Sequence, residues 1–430
     1  MTDVAHRTAN DGLDQFIPVR KSDILSALVE QGDCKSDEDR KKFRRLCDML
    51  AAIYHYDYFQ TLERLRNDYY YFGPEVAPHA ALERAARERC YVDLVQSLEQ
   101  VLKEANFTEL PHADIGDAHR RRAGQRVEVK APLDDFREIR FWRRGQHTEQ
   151  CEVADWFGLR RRKVEAEVYG DVVLMVAMKP RDEIGSPREL KTLARRKIVP
   201  GSVLLKCFRN IASGDLNALF PNVRVVMSTR DKLTLGFPAI AGGIPILLKI
   251  YATITVLFLV IGFYLGTNAS VEDKDIATAL AALGGILALG GFVVQQWVKY
   301  QWKSPRYQSE LTDNIYYRNI NNNAGIFDYL IGAAEDQECK EAFLAYYFLH
   351  TAAAPSTADE LDGRIEAWLR QTFGVDIDFA VNGALGKLEG LGLLRREKER
   401  LFVSPLDGAC AQLQAVWDKF LASEPKVPAK

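Results

Sequence analysis

"IPILLKIYATITVLFLVIGFYL", residues 244–265, is an apolar stretch of 22 residues with a single charged residue, Lys249. A second stretch, "IATALAALGGILALGGFVVQQWV", residues 276–298, has 23 residues and no charge. A bilayer core about 30 Å thick is crossed by roughly 20 helical residues. The two stretches therefore predict a two-helix transmembrane hairpin, and a pair of buried core helices is the alternative.

The residues around the two stretches predict an orientation for this hairpin. Residues 266–275, which connect the stretches, carry three acidic residues and one lysine, whereas basic residues flank the outer ends. Because positive residues favour the cytoplasmic side, we expect both termini in the cytoplasm. The residues predicted to lie at the membrane interface are Lys249, Trp297, Lys299, Tyr300, Trp302 and Lys303.

Small residues recur along the second stretch and predict close helix packing, against either the first stretch or a second copy of the chain. These helix-packing residues are Ala277, Ala281, Gly284, Gly285 and Ala288. Neither stretch contains an acidic residue or a histidine, so an ion path or a proton relay is disfavoured.

The remaining sequence divides into segments that differ in composition and in predicted secondary structure. The predicted divisions are a disordered N-terminus at 1–15, a helical segment at 16–110, a basic α+β unit at 111–235, the hairpin at 244–298, a membrane-exit helical junction at 299–337, a winged-helix-like domain at 338–422 and a disordered tail at 423–430. Seven scattered cysteines without a CxxC pair are typical of a reducing compartment.

The basic α+β unit has a local charge excess. Between Arg120 and Arg209 there are 22 Lys and Arg against 13 Asp and Glu. Beside a membrane, such a surface would attract anionic lipid headgroups. A solvated basic face and a nucleic-acid surface are the alternatives, but the sequence contains no known RNA-binding module.

The C-terminal segment reads as helix, helix, "KLEGLGLL", charged hairpin and helix, which is the order of a winged-helix domain. Its second helix carries Lys387 as its one basic residue, near Asp376, Asp378 and Glu389. Because a major-groove helix needs phosphate attraction and a base reader, nucleic acid is a disfavoured partner. A protein partner or intramolecular packing is expected instead.

Few residues suggest chemistry. His112, Asp114, Asp117 and His119 in "PHADIGDAHRRR" are weak candidates for a metal site, because their spacing matches no established pattern. The sequence has no phosphate-binding loop, no HExxH and no GxSxG motif. We therefore expect no cofactor and no catalytic residue, with a metal-dependent membrane-surface enzyme kept as an alternative.

The asparagine run in "NIYYRNINNNAGIFDYL", residues 314–330, stands before an apolar helix. Asn321, Asn322, Asn323 and Gly325 are predicted to form a junction between the membrane exit and the C-terminal domain. Asn322 or Asn323 is expected to cap the helix that begins near Ala324, because an asparagine side chain can accept from the free amides of a first helical turn.

Several blocks carry a family resemblance: "FIPVRKSDI", "FWRRG", "LLKCFRNIASGDLNALFPNVRVVMSTRDKLTLGFP", "NINNNAGIFDYLIGAAEDQECKEAFLAYYFL" and "ALGKLEGLGLL". The chain resembles, over most of residues 16–420, an uncharacterised membrane-protein family typified by transmembrane protein 143, whose shared region is a domain of unknown function. The resemblance implies two spans, in a bacterial or a mitochondrial membrane, and no activity or cofactor. The N-terminus lacks a transit-like leader, which favours the bacterial cytoplasmic membrane.

Together these patterns predict an α+β membrane protein. It would have a helical and β-rich cytosolic N-terminal part, a two-helix transmembrane hairpin and a winged-helix-like C-terminal domain. Its expected role is that of a membrane-tethered interaction or regulatory module whose partners are the lipid bilayer, anionic headgroups and a protein. A nucleic-acid-binding regulator is a further alternative.

Overall fold

The computed structural model describes residues 13–30, 36–74, 83–111, 127–130, 136–155, 160–195, 198–220, 224–227 and 316–422, with isolated positions between 261 and 298. These residues form a five-stranded antiparallel sheet with helices packed on one face. The described strands are β1 Thr108–Glu109, β2 Val127–Lys130, β3 Phe136–Asp155, β4 Arg160–Met178, β5 Val203–Ala212, β6 Arg224–Met227, β7 Asn319–Asn322, β8 Leu394–Glu397 and β9 Arg400–Val403.

The sheet has the order β1-β3-β4-β5-β7, and all neighbours are antiparallel. Its central strand β4 ends in "VVLMVAM", residues 172–178, which is apolar at every position. Successive side chains on a strand point to opposite faces, so this run packs on both sides of the sheet. Val173, Met175 and Ala177 join the helix-side core, whereas Val172 and Leu174 join a second core on the opposite face.

The second core combines aromatic and aliphatic residues. Phe141 of β3 and Phe208 of β5 are fully buried there. A short 3-10 segment, Ser213–Leu219, follows β5 and adds Leu216, Leu219 and the adjacent Phe220. The Phe220 ring meets the Phe141 ring edge to face at a centroid distance of 5.5 Å, a favoured aromatic geometry.

The described helices are α1 Lys21–Glu30, α2 Asp37–Tyr69, α3 Arg84–Glu104, α4 Pro187–Arg195, α5 Gly325–His350, α6 Ala358–Phe373, α7 Val381–Gly390 and α8 Leu406–Ala422. Local sequence explains several of their ends. The Ser36 side chain accepts from the Asp39 amide at the start of α2, and Thr357 forms a capping box with Glu360 at the start of α6. Gly374 ends α6 in the left-handed conformation that glycine adopts without steric cost.

Helix α5 lies at the centre of the helical layer and packs against α1, α2, α3, α6 and α7. The apolar core around it contains residues from both ends of the chain, from Ile17 to Leu413. Tyr346 of α5 is fully buried, stacks on Phe43 of α2 and donates from its hydroxyl to the Ser404 carbonyl at 2.7 Å. N-terminal and C-terminal segments therefore share one core.

Within the part of the chain that the structure describes, no helix has the length and apolar character needed to cross a bilayer. The two longest described helices, α2 and α5, both carry charged residues along their length. This finding contradicts the predicted membrane fold, its transmembrane hairpin and the multi-pass localisation in a bacterial or mitochondrial membrane. Low charge over about 20 residues meets a length criterion, but it does not establish that a segment forms one continuous spanning helix.

Most of the residues on which that prediction was based, including residues 244–260, lie outside the described part. In the C-terminal segment, α6, α7, the β8–β9 hairpin and α8 follow one another in the predicted order. However, α5 crosses the predicted boundary at residue 338 and packs against α2. The assignment of residues 338–422 as a separate winged-helix-like domain stays a prediction.

Candidate functional site

A polar cleft of about 260 Å³ opens where four helices meet. Helices α2 and α3 come from the N-terminal part of the chain, and α5 and α7 come from the C-terminal part. The residues that line this cleft are Tyr54, Asp57, Tyr58, Thr61, Arg64, Ser97, Gln100, Glu104, Glu338 and Lys387. Its lining combines hydroxyl, amide and charged groups, so it differs from the apolar core beside it.

A polar run in the middle of α5 borders the cleft and contributes Glu338 to its lining. Because α5 is surrounded by other elements, Gln337, Glu338, Lys340 and Glu341 are each at most 3% exposed. Removing a charge from water is costly unless the charge is paired or hydrogen-bonded. The partners of these four residues therefore determine what the site can do.

Glu338 forms an ion pair with Lys387 of α7, and the Lys387 Nζ lies 3.9 Å from a carboxylate oxygen of Glu341. Burial lowers the pKa of Lys387 to about 8, and the charge of Glu104 opposes that shift. Lys387 is the sole basic residue of α7. Because it is engaged with Glu338, it is not available as a phosphate contact on the helix that a winged-helix protein would use for DNA.

Glu341 is held by Asn106, whose side-chain amide donates to it at 2.9 Å. Asn106 follows α3 with a φ of 58° and also donates to the Gln15 carbonyl at 3.0 Å. Burial raises the pKa of Glu341 to about 7, while the Asn106 hydrogen bond and Lys340 oppose the shift. This carboxyl group therefore titrates close to neutral pH.

Glu104 is oriented by two donors in the cleft. The Tyr58 hydroxyl donates to one of its oxygens at 2.9 Å, and the Gln100 amide donates to the other at 3.0 Å. No salt bridge of Glu104 occurs within the described residues. In the same part of the chain the buried hydroxyl of Tyr54, another lining residue, has no hydrogen-bond partner. The cleft thus presents a fixed carboxylate and an unused hydroxyl.

A second polar centre lies between the sheet and α5. Asp171 of β4 accepts from the Arg144 guanidinium at 2.8 and 2.9 Å, from the Tyr329 hydroxyl at 2.7 Å and from Arg209 at 3.3 Å. Phe16 and Phe107 lie against the Arg144 guanidinium, with ring centroids at 4.6 and 4.5 Å. Because these groups satisfy one another, this arginine cluster has the features of a structural link between sheet and helices.

The N-terminal segment connects this arginine cluster to the polar run of α5. Gln337 accepts from the Ile17 amide at 2.9 Å and donates to its carbonyl at 3.2 Å, and Lys340 donates to that carbonyl at 3.0 Å. Asp14 accepts from the Gly145 amide at 2.6 Å. The stretch before α1 is therefore clamped between the sheet and the polar run of α5.

Three carboxylates outside the cleft form the one group in the described residues that could hold a metal ion. Ligand oxygens of Asp362, Glu366 and Asp378 lie within 4.8 Å of one another. Burial raises the pKa of Asp362 to about 7, and the charges of Glu366 and Asp378 add to the shift. A proton on Asp362 would relieve the repulsion without a metal, so the cluster does not define a metal centre by itself.

Many of the residues predicted from sequence lie outside the described part of the chain. These are the weak metal candidates His112, Asp114, Asp117 and His119, the interface residues Lys249, Trp297, Lys299, Tyr300, Trp302 and Lys303, and the packing residues Ala281, Gly285 and Ala288. Ala277 and Gly284 are described as exposed helical positions, and a Cβ added at Gly284 would meet no atom within 4 Å. Helix packing at these residues stays a prediction.

The asparagine run forms part of the sheet. Asn321 and Asn322 pair with Cys207 and Lys206 of β5, and Asn323 has a φ of 50° and donates its amide to the Leu205 carbonyl at 2.8 Å. Helix α5 begins at Gly325, and its N-cap residue Ala324 makes no side-chain capping bond. The predicted asparagine cap is therefore wrong, because these asparagines join an edge strand to α5 instead.

The comparison with protein families gives one match. A family described as protein of unknown function (DUF3754) matches residues 169–325, which include the second half of β4, all of α4, β5, β6 and β7, and the first residue of α5. This segment contains Asp171 and Arg209 but none of the residues that line the cleft. The match does not extend over most of residues 16–420, and nothing ties the chain to transmembrane protein 143. No solved structure matches this chain.

Proposed function

We propose that this protein is a regulatory module that binds a small cationic molecule, such as an aliphatic amine, in the polar cleft. The observation that carries the proposal is Glu104, a carboxylate oriented by Tyr58 and Gln100 at the cleft wall and without a salt bridge in the described part of the chain. A carboxylate in this arrangement favours a ligand that brings its own positive charge.

The charge of the lining supports this ligand class. Asp57, Glu104 and Glu338 contribute three acidic groups against Arg64 and Lys387. Lys387 is already paired with Glu338, which leaves Glu104 and Asp57 against Arg64 alone, an excess of one negative charge. A volume of about 260 Å³ is below the usual range for drug-sized ligands, so the cleft suits a molecule of only a few heavy atoms.

The position of the cleft supports a regulatory role. A ligand that contacts α3 through Glu104 and α5 through Glu338 would stabilise the contact between the N-terminal and C-terminal parts of the chain. Because the ligand would bind the arrangement in which these helices are packed together, its binding would increase the population of that arrangement by mass action. In this proposal the helices α6 to α8 present the resulting state to a protein partner.

Thermal unfolding with putrescine and agmatine as probes tests the proposal. Both amines are expected to raise the melting temperature, and calorimetric titration should give a stoichiometry of one. Glu104→Gln should abolish the effect because it removes the charge and keeps an acceptor for Tyr58. Glu63→Gln, an exposed change on α2 outside the cleft, should leave it intact.

Glutamate at the same concentration is the control for ligand charge. If neither amine stabilises the wild-type chain, or if glutamate stabilises it equally, the cationic-ligand proposal is wrong. An equal effect of the amines on the Glu104→Gln and wild-type proteins would also contradict it, because binding would then occur elsewhere.

Lys387 supports a second, catalytic candidate. A lysine with a pKa of about 8 in a polar cleft has a larger neutral fraction at pH 7 than an ordinary lysine and, once released from Glu338, can attack a carbonyl carbon. Treatment with a small aldehyde and borohydride would then modify Lys387 selectively. Uniform labelling of the exposed lysines, without preference for Lys387, would exclude this reaction.

A further inference from the structure

We propose that the outer edge of strand β4, from Arg160 to Ala166, pairs with the same edge of a second copy of this chain in an antiparallel, two-fold arrangement. The proposal concerns an interaction surface that is separate from the cleft. It does not depend on the ligand proposed above.

Strands β3 and β4 extend beyond the rest of the sheet as a two-stranded ribbon. Their pairing continues from Gln146 opposite Tyr169 to Asp155 opposite Arg160. The neighbouring strand β5 pairs with β4 only between Val168 and Ala177. Within the described residues, the outer edge of β4 from Arg160 to Ala166 therefore has no strand beside it.

Such an edge needs a physical explanation. A two-stranded ribbon is marginally stable in water by itself, and an open edge leaves backbone donors and acceptors unpaired. Charged residues protect many edges against pairing with other chains. The order of the charged residues on β4 indicates whether this edge is protected against pairing or pairs with a specific partner.

The sequence of this edge is self-complementary in charge. Residues 160–168 read "RRRKVEAEV", with four basic residues before Val164 and two acidic residues after it. If two copies pair antiparallel about Val164, Lys163 of one lies opposite Glu165 of the other. Lys163 and Glu165 are both exposed, and opposite charges at facing positions stabilise a strand pair.

This pattern favours a second copy over an unrelated strand. A two-fold axis presents the same surface twice, so each favourable pair occurs two times in the interface. Lys163 and Glu165 lie one residue before and one residue after Val164, so a two-fold axis through Val164 places them opposite each other. Within the ribbon Glu165 lies opposite the neutral Gln150, so the ribbon itself supplies no opposite charge at that facing position.

Charge substitutions test the pairing. Glu165→Lys would place basic residues opposite each other across the two-fold axis and should raise the dimer dissociation constant roughly 10- to 30-fold. Within its own ribbon Glu165 lies opposite the neutral Gln150, so this change creates no intramolecular repulsion. Sedimentation velocity of the full chain over a concentration series would measure the dissociation constant.

The variant in which the two charges are exchanged is the decisive test. Lys163→Glu alone should also weaken the dimer, and the double variant Lys163→Glu with Glu165→Lys should restore it, because each copy again presents complementary charges. Wild-type dimerisation should weaken with added salt. Circular dichroism would verify that every variant remains folded.

Three outcomes would overturn the proposal. A monomeric wild-type chain across the concentration series would show that the edge is protective. A dimer that Glu165→Lys leaves unchanged would show that the chain associates through another surface. Since Glu152 faces Lys163 within the ribbon, a defect confined to variants at position 163 would indicate an intramolecular effect and also reject the pairing.

Discussion

Asp171 is approached by two arginines in different surroundings. The side chain of Arg144 is 7% exposed, and that of Arg209 is 56% exposed. Removing one partner of a buried pair leaves an uncompensated charge, which costs about 3–5 kcal/mol. We therefore expect Arg144→Met to lower the free energy of unfolding by about 3–5 kcal/mol and Arg209→Met to lower it by less than about 1 kcal/mol.

Urea unfolding of both variants would measure these two values. Arg209→Met is the matched control, since it removes a guanidinium from the same carboxylate at an exposed position. Similar losses for the two variants would contradict the view that burial of Arg144 makes its pair with Asp171 important.

Glu341 gives a prediction about pH. Its pKa is raised to about 7 in the folded chain, so between about pH 4.5 and 7 the folded state holds a proton that the unfolded state releases. Its contribution to stability therefore falls as pH rises through this window, by up to about 3 kcal/mol. Glu341→Gln, which keeps an acceptor for Asn106, should be more stable than wild type above pH 7.

Chemical unfolding of the Glu341→Gln and wild-type chains from pH 4.5 to 8 would measure the difference. Asp362, whose pKa is also raised to about 7, shifts both proteins alike and cancels in that difference. A difference in stability that is constant with pH would contradict the buried, titrating carboxyl group.

At the scale of elements, the β8–β9 hairpin turns through Lys398 and Glu399, because Glu397 pairs with Arg400. Lys398 has a φ of 59°, a conformation that costs a residue with a Cβ about 1–2 kcal/mol and costs glycine nothing. After allowance for the greater freedom of glycine in the unfolded chain, Lys398→Gly should stabilise the protein by about 0.5–1 kcal/mol.

Glu399→Gly is the control in the same turn, since Glu399 is not among the residues with a positive φ. It should destabilise the chain by roughly 0.5–1 kcal/mol through the same entropy term. Thermal melts of both variants would measure the two effects, and a lower melting temperature for Lys398→Gly would contradict the strained turn.

Several elements could be predicted because their signals are local. Ser36 caps α2, and the apolar spacing of Phe43, Leu46 and Leu50 matches the buried face of that helix. The asparagine run shows the limit of such signals. Asparagine is favoured both at helix caps and in the left-handed conformation, and Asn323 adopts the second, which the sequence does not distinguish.

The cleft could not be predicted from the sequence, because its residues come from four helices and share no spacing. Glu104 and Lys387 are separated by most of the chain, and each resembles an ordinary surface residue of an amphipathic helix. The clearest local signal was the polar run 337–341 of α5, which lies between apolar segments. This run indicates buried charged residues only if α5 is surrounded by other elements, and that depends on the packing of the whole chain.

At the scale of the whole molecule, the shared core predicts that the C-terminal segment does not fold alone. A fragment of residues 338–422 would begin within α5 and would lack α2. Phe43 of α2 packs against Tyr346 and Tyr347, with ring centroids at 6.5 and 5.4 Å, and Lys42 forms an ion pair with Asp407 at 2.9 Å. The fragment would expose this apolar face of α5 to water.

We expect this fragment to show no cooperative thermal transition and a poorly dispersed amide spectrum, whereas the full chain should show a cooperative transition and a well-dispersed spectrum. Phe43→Ala in the full chain should lower the free energy of unfolding by about 3–5 kcal/mol, because it leaves a cavity against Tyr346. If the fragment melted cooperatively, the contact with α2 would be an interface between independent domains, and Phe43→Ala would leave the melting of the fragment's own helices unchanged. A single transition that shifts as a whole in Phe43→Ala would establish that the two ends of the chain fold as one unit.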